Sequence, residues 1–192
     1  VVSNGEFVTK LEKKDLVYLS LVEDVITLHG IDKDYGTYEN LGFHTFSDTS
    51  VFSIKPVLPS LKTRRYDDNV SFSVDYNRVL MVNEVQLDKY LAGVVEAEGG
   101  PNALPEYYKA QSLLCRTYAA KSMKRHIEEG FNLCDEVHCQ AFKGRSERNP
   151  EILKATKATH GQVIIDNDSN LITAAFHANC GGQTTNSGSI WL

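Results

Sequence analysis

One glutamate stands where helical spacing leads us to expect an apolar residue. In the segment 85–98, Leu87, Leu91 and Val94 recur with the period of an amphipathic helix. At roughly 100° per residue, Glu98 falls within about 40° of these residues and so continues the face that we expect to be buried. Burial disfavours the charged form of a carboxyl group, and a protonated carboxyl is what a general acid needs.

Two interpretations of Glu98 follow from the glycines after it. Gly99 and Gly100 are expected to end the helix beside the carboxylate. They either leave Glu98 poorly solvated, as a general acid, or open the helix end to water, which makes Glu98 an ordinary exposed residue. Glu96 lies about 200° further round the helix and is expected to face elsewhere. The two carboxylates therefore do not predict the facing pair of an ordinary glycosidase.

The composition excludes some classes of protein. The chain has 192 residues, 42% hydrophobic and 23% charged, which is ordinary for a globular protein of one large or two small domains. A net charge of −5 argues against a dedicated nucleic-acid-binding protein. No apolar run is long enough for a membrane-spanning helix, and no signal peptide is visible. The chain begins at Val1 and ends at Leu192 soon after patterned segments, so we expect a piece of a longer protein.

The first half of the sequence predicts short β-strands separated by turn residues. Alternation of apolar and polar residues, with many β-branched side chains, is typical of half-buried strands. Such segments occur at 15–22, 25–30, 51–54, 70–74 and 78–82. Residues 1–82 are therefore expected to form a β-rich scaffold, and the basic run Lys62–Arg65 is expected to lie in an exposed loop.

The region from 83 to 192 predicts helices and one β-hairpin. After the first helix, a long helix is expected from Pro105 to Glu129 and a shorter one from Pro150 to Thr159. Residues 161–177 predict a hairpin. The fold class is therefore α+β, with a β-rich N-terminal half and a helical plus β-hairpin half that carries the candidate chemistry, and we expect this second half to be truncated at its C-terminus.

Cysteine and histidine side chains form a second candidate site. Cys134 and Cys139 flank His138 in one short segment, and His177 and Cys180 are close together in a later one. Structural zinc takes four such ligands, so Cys134, His138 and Cys139, with His177 or Cys180, are candidate zinc ligands. A Cys134–Cys139 disulfide and reduced thiols are the alternatives.

Several short motifs follow one another in the second half of the chain. They are 85–95 with Glu98, 109–111, 116–119, 134–140, 161–163, and 176–184 with Asn186 and Trp191 after it. In this order they resemble the stage II sporulation protein D family, which includes the amidase-enhancer LytB-type proteins, over a little more than half of the chain. The sequence departs from the family at Gly99-Gly100, where Met-Pro is usual, and it ends near Trp191, where the family motif continues.

The resemblance implies a peptidoglycan lytic transglycosylase of the cell envelope, located outside the cytoplasm. The family's catalytic glutamate falls on Glu98, and its helix Lys and Arg fall on Lys109 and Arg116. The reaction breaks the bond between N-acetylmuramic acid and N-acetylglucosamine. One acid/base group is enough, because the sugar's own 6-hydroxyl closes a 1,6-anhydro ring. The implied substrates are glycan strands that a cell-wall amidase has stripped of their stem peptides.

Six side chains are candidates for binding the glycan. Arg116 is expected to bind the lactyl carboxylate or to hold Glu98, with a plain surface charge as the alternative. Lys109 and Gln111 are candidate donors to sugar hydroxyls or acetamides. The remaining candidates, which belong to motif segments expected to line a groove, are Gln140, His177 and Gln183.

Two other functions compete with the transglycosylase. One is a non-catalytic glycan-binding module that stimulates an N-acetylmuramoyl-L-alanine amidase, with Glu98 as a sugar ligand or a structural residue. The other is a zinc-dependent hydrolase, which would need an open position on the metal. The transglycosylase reaction needs no cofactor, so zinc is expected only in a structural role.

Overall fold

The computed structural model describes residues 1–177, 179, 181–186 and 189. They divide into two compact units, Val1–Leu87 and Asp88–Leu192. Strands occupy the first unit and helices the second, which confirms the predicted α+β class. Among the described residues, no helix combines the length and the apolar character that crossing a membrane requires.

The first unit contains ten antiparallel strands. They are β1 Val2–Ser3, β2 Glu6–Phe7, β3 Val17–Val22, β4 Val25–Gly30, β5 Asp34–Tyr38, β6 Asn40–Phe43, β7 Val51–Ile54, β8 Arg64–Asp67, β9 Asn69–Asp75 and β10 Arg78–Glu84. The largest sheet has the order β10-β9-β6-β1-β2, beside a sheet β3-β4-β5 and a pair β7-β8. Alternation along β9 buries Val70 and Phe72, and Phe72 packs edge-to-face on Phe43 at 5.5 Å between ring centroids.

The basic run 62–65 differs from its prediction. Arg64 and Arg65 begin β8, where they pair with Ile54 and Ser53 of β7. The loop prediction is wrong for these two residues because strand pairing is a tertiary contact, which a short charged segment does not reveal. The longer predicted strands, including β4 and β7 with their bounds, are confirmed.

The second unit is built on three α-helices among its described residues: α1 Leu87–Gly99, α2 Pro105–Ser122 and α3 Pro150–Ala158. The face of α1 that carries Leu91 and Val94 is fully buried, as its spacing predicts. Gly93 lets α1 approach the Gly144 carbonyl and the Phe142 ring, where a Cβ would clash. The side chain of Asn149 caps α3 by accepting a hydrogen bond from the Glu151 N–H at 2.9 Å.

Two predicted elements are shorter than expected. The long helix ends at Ser122 rather than Glu129, and a separate 3₁₀ turn spans Ile127–Glu129. The hairpin over 161–177 is limited to one bridge between Ile165 and Leu171. One cross-strand hydrogen bond is lost because the Thr117 hydroxyl of α2 accepts the Ile164 N–H at 2.9 Å, although the Ile164 carbonyl still accepts the Ile172 N–H at 3.3 Å.

Candidate active site and cysteine–histidine cluster

Glu98 lies in the last turn of α1 and is partly buried. Its Oε1 accepts a hydrogen bond from the backbone N–H of Ala141 at 2.8 Å. Gly100 follows with φ +73°, and its N–H bonds the Glu96 carbonyl at 3.1 Å, which ends the helix. The turn that the glycines predicted is therefore present, with a carboxylate held beside it.

Glu98 opens onto a groove of about 740 Å³ within the second unit. Gln140, Tyr118 and Phe176 lie along the same groove, and Glu98 is the only carboxylate among the described residues that line it. Tyr118 donates its hydroxyl to the His138 carbonyl at 3.3 Å. The groove therefore combines one partly buried acid with polar and aromatic walls, a composition that suits a sugar chain.

Three cations near the end of α2 also line this groove: Lys121, Lys124 and Arg125. Lys121 donates to the Thr173 hydroxyl at 2.9 Å, and Arg125 donates to the Tyr118 hydroxyl at 2.7 Å. None of these three residues was predicted to line the groove. A signal for them was present, because Tyr118, Lys121 and Arg125 are spaced to share one face of a helix.

Arg116 lies elsewhere than predicted. Its guanidinium is 2% exposed and donates to Asp88 Oδ1 at 3.1 Å, to the Thr156 carbonyl at 2.8 Å and to the Thr159 hydroxyl at 3.2 Å. The expected contact with Glu98 is wrong, because Asp88 is at the opposite end of α1. The alternative of a surface charge is wrong too, since the residue ties α1, α2 and α3 together and presents no face to a substrate.

The other predicted glycan-binding residues are dispersed. Lys109 pairs with Glu106 at 2.7 Å on an exposed part of α2, and Gln111 is buried with its amide on the Cys115 sulfur at 3.6 Å. Neither lines the groove that contains Glu98. His177 and Gln183 are exposed and are not among the described groove residues either.

Gln140 lies at the groove, but its side chain points toward α1 and α2 in the interior of the second unit. It is 2% exposed, donates to the Cys115 carbonyl at 3.3 Å and accepts from the Tyr90 hydroxyl at 3.4 Å. Burial raises the pKa of the Tyr90 hydroxyl, so it stays a donor in this contact. Gln140 therefore fixes the backbone of its loop, a different task from the substrate binding that was predicted.

The structure brings together the three predicted metal ligands, Cys134, His138 and Cys139, with His126 as a fourth donor. Their candidate ligand atoms all lie within 4.8 Å of one another, and both cysteines are free thiols. His177, expected as a possible fourth ligand, is not in this cluster, and Cys180 lies outside the described residues.

His126 reaches the cluster because the chain reverses after α2. The Phe131 N–H bonds the His126 carbonyl at 3.3 Å, and the two rings stack at 4.9 Å. Glu129 holds His126 Nδ1 at 2.6 Å, which leaves Nε2 facing the Cys139 sulfur at 3.4 Å. Two thiols and two imidazoles are a donor set that zinc prefers, and the carboxylate behind His126 is the usual second partner of a metal-binding histidine.

Glu96 faces away from Glu98, as predicted, and is committed to a different loop. Its carboxylate accepts from the Arg148 N–H at 2.8 Å and the Ser146 hydroxyl at 3.0 Å, and it pairs with Arg148 Nε at 3.2 Å. Burial raises the pKa of Glu96, but the hydrogen bonds from Arg148, Ser146 and Glu147 outweigh burial and hold the pKa below its ordinary value.

Comparison with known proteins finds a family similarity over part of the chain. Residues 75–165 match the family model described as Stage II sporulation protein. Stage II sporulation protein D of Bacillus subtilis is 26% identical over 160 residues, which cover 76% of this chain and 46% of that protein. The protein of the same name from Bacillus amyloliquefaciens is 27% identical over 163 residues, 77% of this chain and 44% of that protein.

An uncharacterized protein of Brachyspira hyodysenteriae is 27% identical over 113 residues, 58% of this chain and 30% of that protein. The chain thus spans less than half the length of each of these curated relatives. No solved structure matches the chain. The matches confirm the resemblance that the motifs carried, because residues 75–165 match the Stage II sporulation protein family model and two of the relatives are named Stage II sporulation protein D.

Proposed function

We propose that this protein is a peptidoglycan lytic transglycosylase with Glu98 as its single general acid and base. One observation carries the proposal: Glu98 is the only carboxylate among the described residues of its groove. Ordinary glycosidases place a second carboxylate across the sugar to act as nucleophile or to activate water. A transglycosylase that uses the sugar's own hydroxyl has no need of that second group.

The proposed reaction uses Glu98 twice. The protonated carboxyl first gives its proton to the glycosidic oxygen between N-acetylmuramic acid and N-acetylglucosamine, and the C1–O bond breaks. The carboxylate then takes the proton of the 6-hydroxyl on the muramic acid, and O6 bonds to C1 to close the 1,6-anhydro ring. The Ala141 N–H on Oε1 orients the carboxyl group and supports its anion between the two transfers.

The rest of the groove supports an anionic glycan as substrate. Lys121, Lys124 and Arg125 bring positive charge to the wall that Glu98 shares. Strands stripped of stem peptides carry free lactyl carboxylates, which such charges attract. The names of the Bacillus relatives favour a role in sporulation. We propose that this role is in the cell wall, outside the cytoplasm, and downstream of an amidase that removes the peptides.

The cysteine–histidine cluster is proposed to hold a structural zinc ion. Its four donors, His126, Cys134, His138 and Cys139, would complete a tetrahedral site and leave no open position for a water or substrate. This argues against the zinc-dependent hydrolase. The metal would stabilise the loop, and the chemistry would stay with Glu98.

Mass spectrometry of the products tests the proposal. Peptidoglycan and peptide-free glycan strands are digested with the wild type, Glu98→Gln, and Glu151→Gln as a control carboxylate on α3. We expect 1,6-anhydro ends with the wild type and the control and none with Glu98→Gln. Reducing ends would instead indicate a hydrolase. Retained strand binding without any product would favour the glycan-binding module that stimulates an amidase.

A further inference from the structure

The cysteine–histidine cluster and the candidate acid are joined by a very short piece of chain. Cys139 belongs to the cluster, and Ala141, two residues later, donates its N–H to Glu98 at 2.8 Å. We propose that a metal ion held by the cluster positions the Glu98 carboxylate through the segment 139–141. The catalytic meaning of this link rests on the proposed function, whereas the link itself can be measured without any activity.

The segment 139–141 is anchored from the interior on one side. Gln140 bonds the Cys115 carbonyl of α2 and the Tyr90 hydroxyl of α1, and Cys139 is 6% exposed. On the other side, residues 135–138 are all exposed and belong to no helix or strand. An exposed loop without regular structure opens easily, so we expect the cluster side chains to add to the order that the hydrogen bonds from Tyr118 and Arg125 to the His138 carbonyl give it.

The ligands are themselves held in place before any metal arrives. Glu129 and Phe131 orient the ring of His126, and Arg125 Nη1 donates to the His138 carbonyl at 2.7 Å. A carboxylate that bonds the second ring nitrogen of a metal-binding histidine fixes the tautomer and the direction of that ring. Glu129 is therefore a positioning residue for the metal and, through it, for the loop.

The consequence for Glu98 follows from its small number of contacts. Among the described residues, the Ala141 N–H is the one hydrogen-bond donor to its carboxylate. If the segment 139–141 shifts, that bond lengthens and the carboxylate can rotate. Misplacing a catalytic group by about 1 Å costs on the order of a hundredfold in rate. Metal binding to the cluster and correct placement of the Glu98 carboxylate are thus thermodynamically coupled: each favours the other.

Amide hydrogen exchange measured by NMR on the whole chain tests the link. The zinc-loaded protein is compared with protein stripped by a chelator, and the Ile164 amide, which bonds the Thr117 hydroxyl, serves as the internal reference. We expect the protection of Ala141 to fall at least tenfold on zinc removal while that of Ile164 is unchanged. Equal loss at both amides, or no loss at Ala141, would overturn the proposal. So would a chain that binds no zinc.

A matched pair of variants tests the role of Glu129. Glu129→Gln removes the carboxylate behind His126, and Glu128→Gln removes an exposed neighbour in the same 3₁₀ turn. We expect zinc affinity, measured by competition with a chromophoric chelator, to fall by about 10–100-fold in Glu129→Gln only. At saturating zinc the Ala141 protection should return in that variant. Equal affinities in the two variants would contradict the positioning role.

Discussion

The two ends of α1 each carry a carboxylate, and they are used in opposite ways. Asp88, 5% exposed at the N-terminal end, is paired with Arg116 at 3.1 Å and His160 at 2.6 Å. Glu98, partly buried at the C-terminal end, meets the Ala141 N–H and an open groove. A carboxylate whose two oxygens are both engaged holds the structure together. Glu98, whose Oε2 has no hydrogen-bond partner among the described residues, is instead available for proton transfer at the groove.

Glu96 lies between these extremes. It is 7% exposed and takes hydrogen bonds from the loop around Arg148, so it resembles Asp88 more than its near neighbour Glu98. Two residues of separation on a helix are enough to send the side chains to different surroundings. The comparison therefore predicts a graded loss of stability along α1, in the order of how fully each carboxylate is engaged.

The largest effect on stability is expected for Arg116→Met. Removing Arg116 leaves the buried Asp88 charge with the exposed His160 as its remaining ion-pair partner, which costs about 3–5 kcal/mol in the free energy of unfolding. Urea unfolding followed by circular dichroism measures this. The double variant Arg116→Met with Asp88→Asn should recover a large part of the loss. If it is less stable than Arg116→Met alone, the loss does not come from the buried Asp88 charge.

A smaller loss is expected for Glu96→Gln, about 1.5–3 kcal/mol at pH 7, because hydrogen bonds to a charged group are lost. The folded pKa of Glu96 lies below the ordinary 4.5, so in acid the unfolded state binds more protons than the folded state. The stabilisation by Glu96 is thus complete above the unfolded pKa and lost as pH falls through the folded pKa. Urea midpoints of the two proteins should therefore converge below pH 4.5. A gap that widens in acid would contradict this.

For Glu98→Gln we expect the reverse of Arg116→Met, a small effect on stability and a large effect on activity. The amide oxygen still accepts the Ala141 N–H, so the free energy of unfolding should change by less than about 1 kcal/mol. Turnover of glycan strands should fall by about 10²–10⁴-fold, the usual contribution of a general acid or base. Thermal unfolding and product assays on one preparation measure both. A stability loss as large as that of Arg116→Met would make Glu98 a structural residue.

The smallest effect is expected at the second partner of Asp88. The side chain of His160 is 75% exposed, and exposed ion pairs contribute about 0.2–1 kcal/mol. His160→Ala should therefore cost far less than Arg116→Met, although both residues contact one carboxylate. Urea unfolding at pH 7 compares them directly. Similar losses in the free energy of unfolding for the two variants would mean that the loss depends on Asp88 losing a partner and not on the burial of Arg116.

Part of the fold could be predicted because its signals are local. The period of Leu91 and Val94 gave α1 and isolated Glu98, and alternation gave strands such as β4 and β7. The strands β1 and β2 have two residues each, too few to show a period. They exist because a neighbouring strand pairs with them, which local patterns do not record.

The amino-acid sequence by itself determined α1, α3 and the start of α2, the longer strands, the candidate acid and three members of the cysteine–histidine cluster, since all of these depend on spacings within short segments. The tertiary structure decided that Arg116 meets Asp88 across 28 residues, that His126 joins Cys139, and that Ala141 reaches Glu98 across 43 residues. Such contacts depend on how the helices and loops pack against each other. A backbone N–H such as that of Ala141 occurs at nearly every residue, so the sequence gives no signal for which one will contact Glu98.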